Sequence, residues 1–244
     1  MRINMRGAAA VLSLWTLSSL LIARVLPYPW VVAARIAELH LPLLLHTAAS
    51  LARSLSAMAV AAALALPLGV LSARSGRARA WLDSGVYLLY PVPKIALLPV
   101  LLLLFGLGNI SKVAVVVLVL FFQLFIAVRD SVAAIGESCF EVLAGFGGRR
   151  RHALRYIIFP AVLPALFTSL RISFATSLSV LFFAETFFTR YGLGHFIMDS
   201  WMRIDYPSMF AGIVVLSALG LAFFALFDYL EGRFCSWREN SPAP

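Results

Sequence analysis

Residues 141–160 read EVLAGFGGRRRHALRYIIFP: an acidic residue leading into a glycine cluster, three consecutive arginines, and a return to apolar side chains closed by proline. The segment lies between two long hydrophobic runs, on a connection rich in positive charge. On a chain that threads a bilayer, such a connection is either a docking surface for a cytoplasmic partner or a set of charges that enforces topology. Taken alone, its residues leave both readings open. Gly145, Gly147 and Gly148 break a helix and permit a tight turn with positive φ. A short helix before them and a second from about Arg149 would form a compact helical knob, with Pro160 and Pro164 restricting the entry to the next hydrophobic segment.

Composition places the rest of the chain in a membrane. Of 244 residues, 62% are hydrophobic and only 13% charged, and the mean hydropathy is +0.94. Soluble domains are nearer half apolar and a quarter charged, so a core of this length could not hide that much apolar surface from water. The formal charge of +9 raises a nucleic-acid reading. The arginines, however, punctuate apolar runs instead of sharing one polar face, which fits positive charge retained on the cytoplasmic side. Cys139 and Cys235 both fall on segments expected in the cytoplasm and read as free thiols.

Apolar segments of roughly 20 residues, the length needed to cross a bilayer, occur at about 8–26, 53–73, 81–105, 111–128, 162–187 and 208–230. The expected fold is therefore all-α and polytopic, with six membrane-crossing helices in a single domain over 1–244 and a polar tail at 239–244. The first segment has a second reading as a secretory signal, since Arg2 and Arg6 precede an apolar core and Ala33-Ala34 is a possible cleavage point. The third is interrupted by Pro91, Pro93, Lys94 and Pro99. The connection 27–50, with His40 and His46, is expected to hold a surface helix. With both termini inside, twelve Lys and Arg residues fall on the cytoplasmic side, including Arg74, Arg77, Arg79, Arg129, Arg233 and Arg238. Six, namely Arg24, Arg35, Arg53, Lys112, Arg190 and Arg203, fall outside. No solenoid repeat and no duplication of one half in the other is visible.

The spacing in the opening stretch carries more than its charge. It resembles the signature loop of the permease subunits of bacterial binding-protein-dependent ABC importers: Glu, two alanines, three residues, Gly, nine residues, then Ile-x-Leu-Pro. Glu141 takes the acidic place and Gly147 the glycine; after nine residues come Ile157, Phe159 and Pro160. Val142 and Leu143 stand where the alanines belong, and Phe159 replaces leucine, all keeping apolar character. TAASLARSL at 47–55 is similar to the start of the family's second span. PVPKIALLPVLLLLFGLGNISKV at 91–113, with its Pro-x-x-Ala-x-x-Pro and Phe-Gly-x-Gly elements, resembles the nitrate, sulfonate and taurine subgroup, as do Ala184-Glu185 and GLGHFI at 192–197.

What the resemblance implies is a type I importer permease fold in a bacterial inner membrane and a division of labour. Two permease copies, expected to be a homodimer, would form the pathway for a small solute such as nitrate, a sulfonate or taurine. Two ATPase subunits would bind ATP and Mg, and a periplasmic or lipid-anchored binding protein would deliver the solute. The loop at about 137–160 would be the coupling helix seated on an ATPase. In it Glu141 would cap or anchor the knob, Gly147 would allow its bend, and Arg149, Arg150 and Arg151 would face the partner or lipid phosphates. The chain itself lacks the GxxxxGK[ST] loop that cradles phosphates, so no cofactor and no enzymatic activity are expected of it. His40, His46, His152 and His195 show no metal-ligand spacing.

Among the ionisable residues inside apolar segments, where charge is costly and normally faces a cavity or a protein surface, three stand out. Lys94 lies in the proline break, Arg171 in the fifth span, and Glu185 near that span's outer end. In one reading Lys94 and Arg171 give the pathway a positive potential suited to an anion. In the other, Arg171 snorkels toward the cytoplasm and Glu185 pairs at the outer rim. A secondary transporter or channel, the alternative class, would need its own coupling-ion site, such as paired intramembrane acids, for which Glu185 alone does not suffice.

Overall fold

The computed structural model describes residues 5–22 and 25–235, and all its regular elements are helical. Arg2, Arg24, Arg238, the tail 239–244 and the side chain of Arg6 lie outside the described residues. The order is α1 (Met5–Leu21), α2 (Pro29–Glu38), α3 (His40–Arg74), α4 (Gly76–Leu89), α5 (Leu98–Phe105) and α6 (Asn109–Ala133). There follow α7 (Glu137–Gly145), α8 (Arg150–Ala153), α9 (Phe159–Glu185), α10 (Leu193–Met202) and α11 (Tyr206–Phe234).

Among the described residues four helices are long and apolar enough to span a membrane: α3, α6, α9 continued back to Arg150, and α11. The six expected segments are all largely helical, yet two are not straight spans. The third is cut by its prolines into α4 and a piece from Lys94 to Phe105, bent by 84°. Pro91 and Pro93 remove backbone donors, so the helix cannot continue its hydrogen-bond ladder past Tyr90, and a 3₁₀ turn at Lys94–Leu97 restarts the chain toward α5. The first holds the shorter apolar helix Ala9–Leu21. The 27–50 connection also divides differently from the expectation. Only α2 is a separate helix, and from His40 onward the chain already belongs to α3, thirteen residues before the expected start of that span.

α2 is held to the start of α11. Arg35 donates to Ser208 at 2.8 Å and to Asp205 at 3.0 Å, and Asp205 caps α11 by accepting from the Ser208 amide. Burial works against the charge on Asp205, but hydrogen bonds from Ser208 and Arg35 outweigh it and hold the carboxyl below its ordinary value.

The centre of the bundle is α3 against α6 and α9. One face of α3, comprising Ser54, Ala57, Ala61, Ala65, Gly69 and Ser72, is buried. Small residues at this spacing let two backbones approach closely, the main source of association between helices in lipid. Gly69 shows how closely: a Cβ there would lie 2.9 Å from Val128 Cγ1. Against this face α6 sets Val116, Leu120 and Leu124, and α9 sets Phe174, Leu181 and Ala184. α11 joins through Phe223, stacked on Phe174 with ring centroids 4.0 Å apart. Large apolar side chains face outward, Leu103 at 87% exposure among them, as expected where lipid replaces water.

Candidate functional site

α6 and α9 run in opposite directions, so the 134–158 connection sits at one end of the bundle with Arg74 and the end of α11. The opposite end gathers the starts of α3 and α6, the end of α9 and the α9–α10 loop. Each end carries a distinct group of functional candidates.

At the connection end, α7 starts after Gly136 and stops at Gly145. Its termination is a Schellman arrangement. The Gly148 amide donates to the Leu143 carbonyl at 2.9 Å, the Gly147 amide donates to the Ala144 carbonyl at 2.9 Å, and Gly147 takes φ +73°. Glycine is the residue that adopts this conformation without a Cβ penalty. Gly148 is constrained by space: a Cβ would fall 2.4 Å from Leu143 Cγ and 2.6 Å from its carbonyl oxygen. Arg149 then precedes α8, its amide donating to His152 Nδ1 at 3.0 Å. A π-turn at Leu154–Ile158 leads into α9, where Pro160 brings no N–H to the carbonyls of that turn.

The knob therefore exists with two short helices around a glycine turn, but several expected details differ. Glu141 does not cap α7; it is exposed on the second turn, while Glu137 occupies the first. Gly145 is the last helical residue, and the positive φ belongs to Gly147. Ile157 is half-buried, whereas its neighbour Ile158 is the residue packed with Val128, Val132 and Val162. Pro164 lies within α9. Arg149, Arg150 and Arg151 are exposed, as are Val142 at 61% and Phe146 at 87%. Arg74 ties the knob to α3, with its guanidinium 3.8 Å from the Phe140 ring centre and 3.3 Å from Glu137.

The network at the opposite end is buried. Arg53 Nη1 donates to Glu185 Oε1 at 2.6 Å and to the Tyr191 carbonyl at 2.7 Å; its Nε donates to Asn109 Oδ1 at 2.9 Å. The Ser50 hydroxyl lies 2.8 Å from both oxygens of Glu185 and accepts from the Leu193 amide, and the Gly194 amide donates to Glu185 Oε2 at 3.0 Å. His46 Nδ1 lies 2.9 Å from the Gly192 carbonyl oxygen and 3.0 Å from its nitrogen, so it donates to one or accepts from the other according to tautomer. Lys112, 1% exposed, points its ammonium at the carbonyls of Leu107, Gly108 and Phe188. Phe188 is one of two non-glycine residues with positive φ among the described residues, at 46°. Arg53 thus pairs with the carboxylate, and the ammonium of Lys112 is met by backbone dipoles.

These contacts correct the placement of the expected pathway residues. Glu185, the last residue of α9, does pair, as one reading expected, but its contact with Arg53 is buried and not on an exposed rim. Arg53 and Lys112, counted on the outer side at the starts of their expected spans, are buried helical residues. Arg171 neither snorkels nor stands as a free positive charge. It bonds Asp228, and Glu231 at 2.8 Å, joining α9 to α11. Lys94 donates to the Tyr90 carbonyl freed at the proline break and lies 4.5 Å from the Phe122 ring centre. Lys94, Arg171 and Glu185 belong to three separate sites. Asp228 and Glu231, three residues apart on one helix face, and the lone cations in TAASLARSL and NISKVAVV were the available signals for the missed partners. Cys139 is an exposed free thiol, and Cys235 is buried.

Comparison with known proteins agrees with this architecture. Residues 65–235 match the family model of the binding-protein-dependent transport system inner membrane component. A putative aliphatic sulfonates transport permease, SsuC of Bacillus subtilis, is 27% identical over 95% of this chain and 86% of its own length. The taurine transport permease TauC of Escherichia coli is 28% identical over 79% of this chain and 70% of its own length. The formylaminopyrimidine transport permease ThiX of Halalkalibacterium halodurans is 30% identical over 93% and 92%. Among solved structures, a chain of the inward-facing MetNI methionine ABC transporter superposes with TM-score 0.68 at 18% identity, over 82% of this chain and 97% of that one. The α3–α6–α9–α11 bundle is thus the type I ABC importer permease fold, and the chain belongs to the family of inner membrane permease components of binding-protein-dependent transport systems.

Proposed function

We propose that the chain, as a single transmembrane domain, is one of two identical permease subunits of an ATP-driven importer for a small anion, with both termini in the cytoplasm. The observation that carries this reading is the α7–α8 knob, a rigid projection between two spans that exposes Phe146, Val142 and three arginines. Those side chains have little role in holding the bundle, and exposed aromatic and arginine residues are the usual anchors of a protein partner. An ATPase subunit seated there, one for each permease copy, would bind ATP and Mg. Its closure would move the knob and, through α9 and the Arg74 contact with α3, the two central helices. A periplasmic or lipid-anchored binding protein would deliver solute to the opposite face.

The solute reading rests on the relatives named for sulfonates and taurine and on charge sign. Nitrate belongs to the same chemical class of small anions. Arg171 no longer supports it, being neutralised by Asp228 and Glu231. Lys94, and the excess positive charge of Arg53 and Lys112 over Glu185, have the sign that an anion requires. Glu185, held by Arg53 and Ser50, is not available as the proton or sodium site of a secondary transporter.

The test is a detergent pull-down of tagged chain from its native membrane, with co-purifying subunits identified by mass spectrometry. Recovery of an ATPase that is lost when residues 141–157 are replaced supports the reading. A homo-oligomer without an ATPase overturns it.

A further inference from the structure

A cavity of about 1000 Å³ opens at the connection end, between the last two turns of α3 and the first two turns of α9. Its walls are aliphatic and aromatic: Val70 and Leu71 from α3, Phe140 from α7, Leu154 and Ile158 from the π-turn, and Leu163 from α9. Two charged side chains line it, Arg74 and Arg150, and no carboxylate does. The volume is at the upper end of the range for small-molecule sites, and the bundle's own side chains leave it unfilled.

We propose that this groove binds an anionic phospholipid, one acyl chain lying along the α3–α9 walls and the headgroup phosphate held between Arg74 and Arg150. Three observations converge on that occupant. Most of the wall belongs to the membrane-spanning helices α3 and α9, so the groove is filled from the bilayer. Its apolar depth suits an alkyl chain and rejects a hydrated anion. Its cations stand where a headgroup phosphate would lie, and basic pockets between transmembrane helices on the cytoplasmic side are suited to anionic headgroups. The stack on Phe140 aims the Arg74 guanidinium at the groove. Its other neighbour, Glu137 at 3.3 Å, is 72% exposed, and one such contact leaves most of the five donors of the guanidinium free. Arg150 is exposed and forms no ion pair among the described residues. A lipid seated here would touch α3, α7, the π-turn and α9 together, and so would brace the knob against the spans it is proposed to move. The cytoplasmic leaflet is named from the proposed orientation; the binding itself does not depend on it.

The experiment is native mass spectrometry of the chain in mild detergent, with whatever subunits co-purify, titrated with phosphatidylglycerol and with phosphatidylcholine of the same acyl chains. Wild type is expected to prefer phosphatidylglycerol. R150Q and R74Q/R150Q are expected to lose that preference stepwise, by about tenfold or more in the double variant given two arginines near one phosphate. Phosphatidylcholine binding should be unchanged. L163W, which fills the groove and leaves both arginines in place, should remove both lipids. Equal binding of the two lipids by wild type, or full retention of phosphatidylglycerol by the double variant, overturns the proposal. So does lipid binding unchanged in L163W. Loss of a co-purifying ATPase in R74Q/R150Q with lipid binding intact would assign the two arginines to the protein partner instead. The lipid readout stands whether or not an ATPase co-purifies.

Discussion

The knob and the buried network sit at opposite ends of the same helices and are built on opposite principles. The knob is contiguous in sequence, exposed, and shaped by backbone geometry: one positive φ at Gly147, one close approach at Gly148, and a cap made of main-chain hydrogen bonds. The network is assembled from α3, α6, α9 and α10, buries the charged side chains of Arg53, Lys112 and Glu185, and is shaped by side-chain charge. Arg53 and Tyr191 meet across 138 residues of chain. A surface meant for a partner can leave its arginines unpaired because solvent screens them. A charge in the interior of a membrane protein has no such screen and must find a partner within the fold. Change in the two regions should therefore register in different measurements: stability for the network, coupling for the knob.

The largest effect is expected from separating Arg53 and Glu185. Either residue changed to Ala leaves the other buried and unpaired, which costs about 3–5 kcal/mol. Thermal unfolding of the detergent-solubilised chain, followed by size-exclusion recovery, should show a large loss for each single variant. The double variant Arg53→Met with Glu185→Leu should recover part of it, because it removes both charges. Equal losses in single and double variants would mean that the backbone contacts of the pair, and not its charge, hold this end together.

Next is the knob. Gly147→Val forces a β-branched residue to φ +73°, a local strain of about 1–3 kcal/mol. Gly148→Ala places a methyl against Leu143. Both should leave the chain in the membrane, since neither position touches the α3–α6–α9 core, but should uncouple ATP hydrolysis from transport in the reconstituted complex. Glu141→Ala is a finer probe. Its side chain caps nothing in this chain, so an uncoupling effect without a stability change would assign its carboxylate to the partner.

Arg171→Gln should be milder than loss of Arg53. The triad with Asp228 and Glu231 is partly exposed, with side-chain exposures of 24%, 20% and 16%, and charged hydrogen bonds of this kind contribute about 1.5–3 kcal/mol at most. If uptake kinetics stay wild type while the melting temperature falls, Arg171 is a strut between α9 and α11 and has no direct part in solute binding.

The smallest effect belongs to Asp205. Its folded carboxyl is held below the ordinary value of 3.8, so its contribution is fully present above that pH and is lost as the pH falls through the folded value. Both partners are about one-third exposed, which limits the contribution to about 1 kcal/mol. Melting curves of wild type and Asp205→Asn should converge at low pH and separate above pH 4–5.

Legibility in the sequence followed the same division as the two regions. The knob was readable because its determinants are adjacent: glycines that stop a helix, arginines that stay in water, and a proline that starts the next span. The proline break at 91–99 was readable for the same reason. The start of α3 was not, because residues 40–52 are only moderately apolar and become helical by packing beneath α10 and α11. Arg53 and Lys112 looked like charges at the outer ends of their spans because hydropathy registers where a run ceases to be apolar, not where a partner for a charge exists. Asp228 and Glu231 looked like the polar end of a span until α9 placed Arg171 beside them.

By itself, then, the amino-acid sequence determined that this is a helical membrane protein, where its long apolar segments fall, and that a glycine–arginine knob interrupts them. Those properties depend on composition and on residues within a turn or two of one another. Only the tertiary structure decided which charges are paired, that Glu185 is an interior anchor held by Arg53 and Ser50, and that α3 and α9 part at one end to leave a basic-lined groove. Those outcomes depend on which helix faces meet, and that is set by small residues such as Gly69 that bring α3 and α6 into contact, not by any property that one segment carries alone.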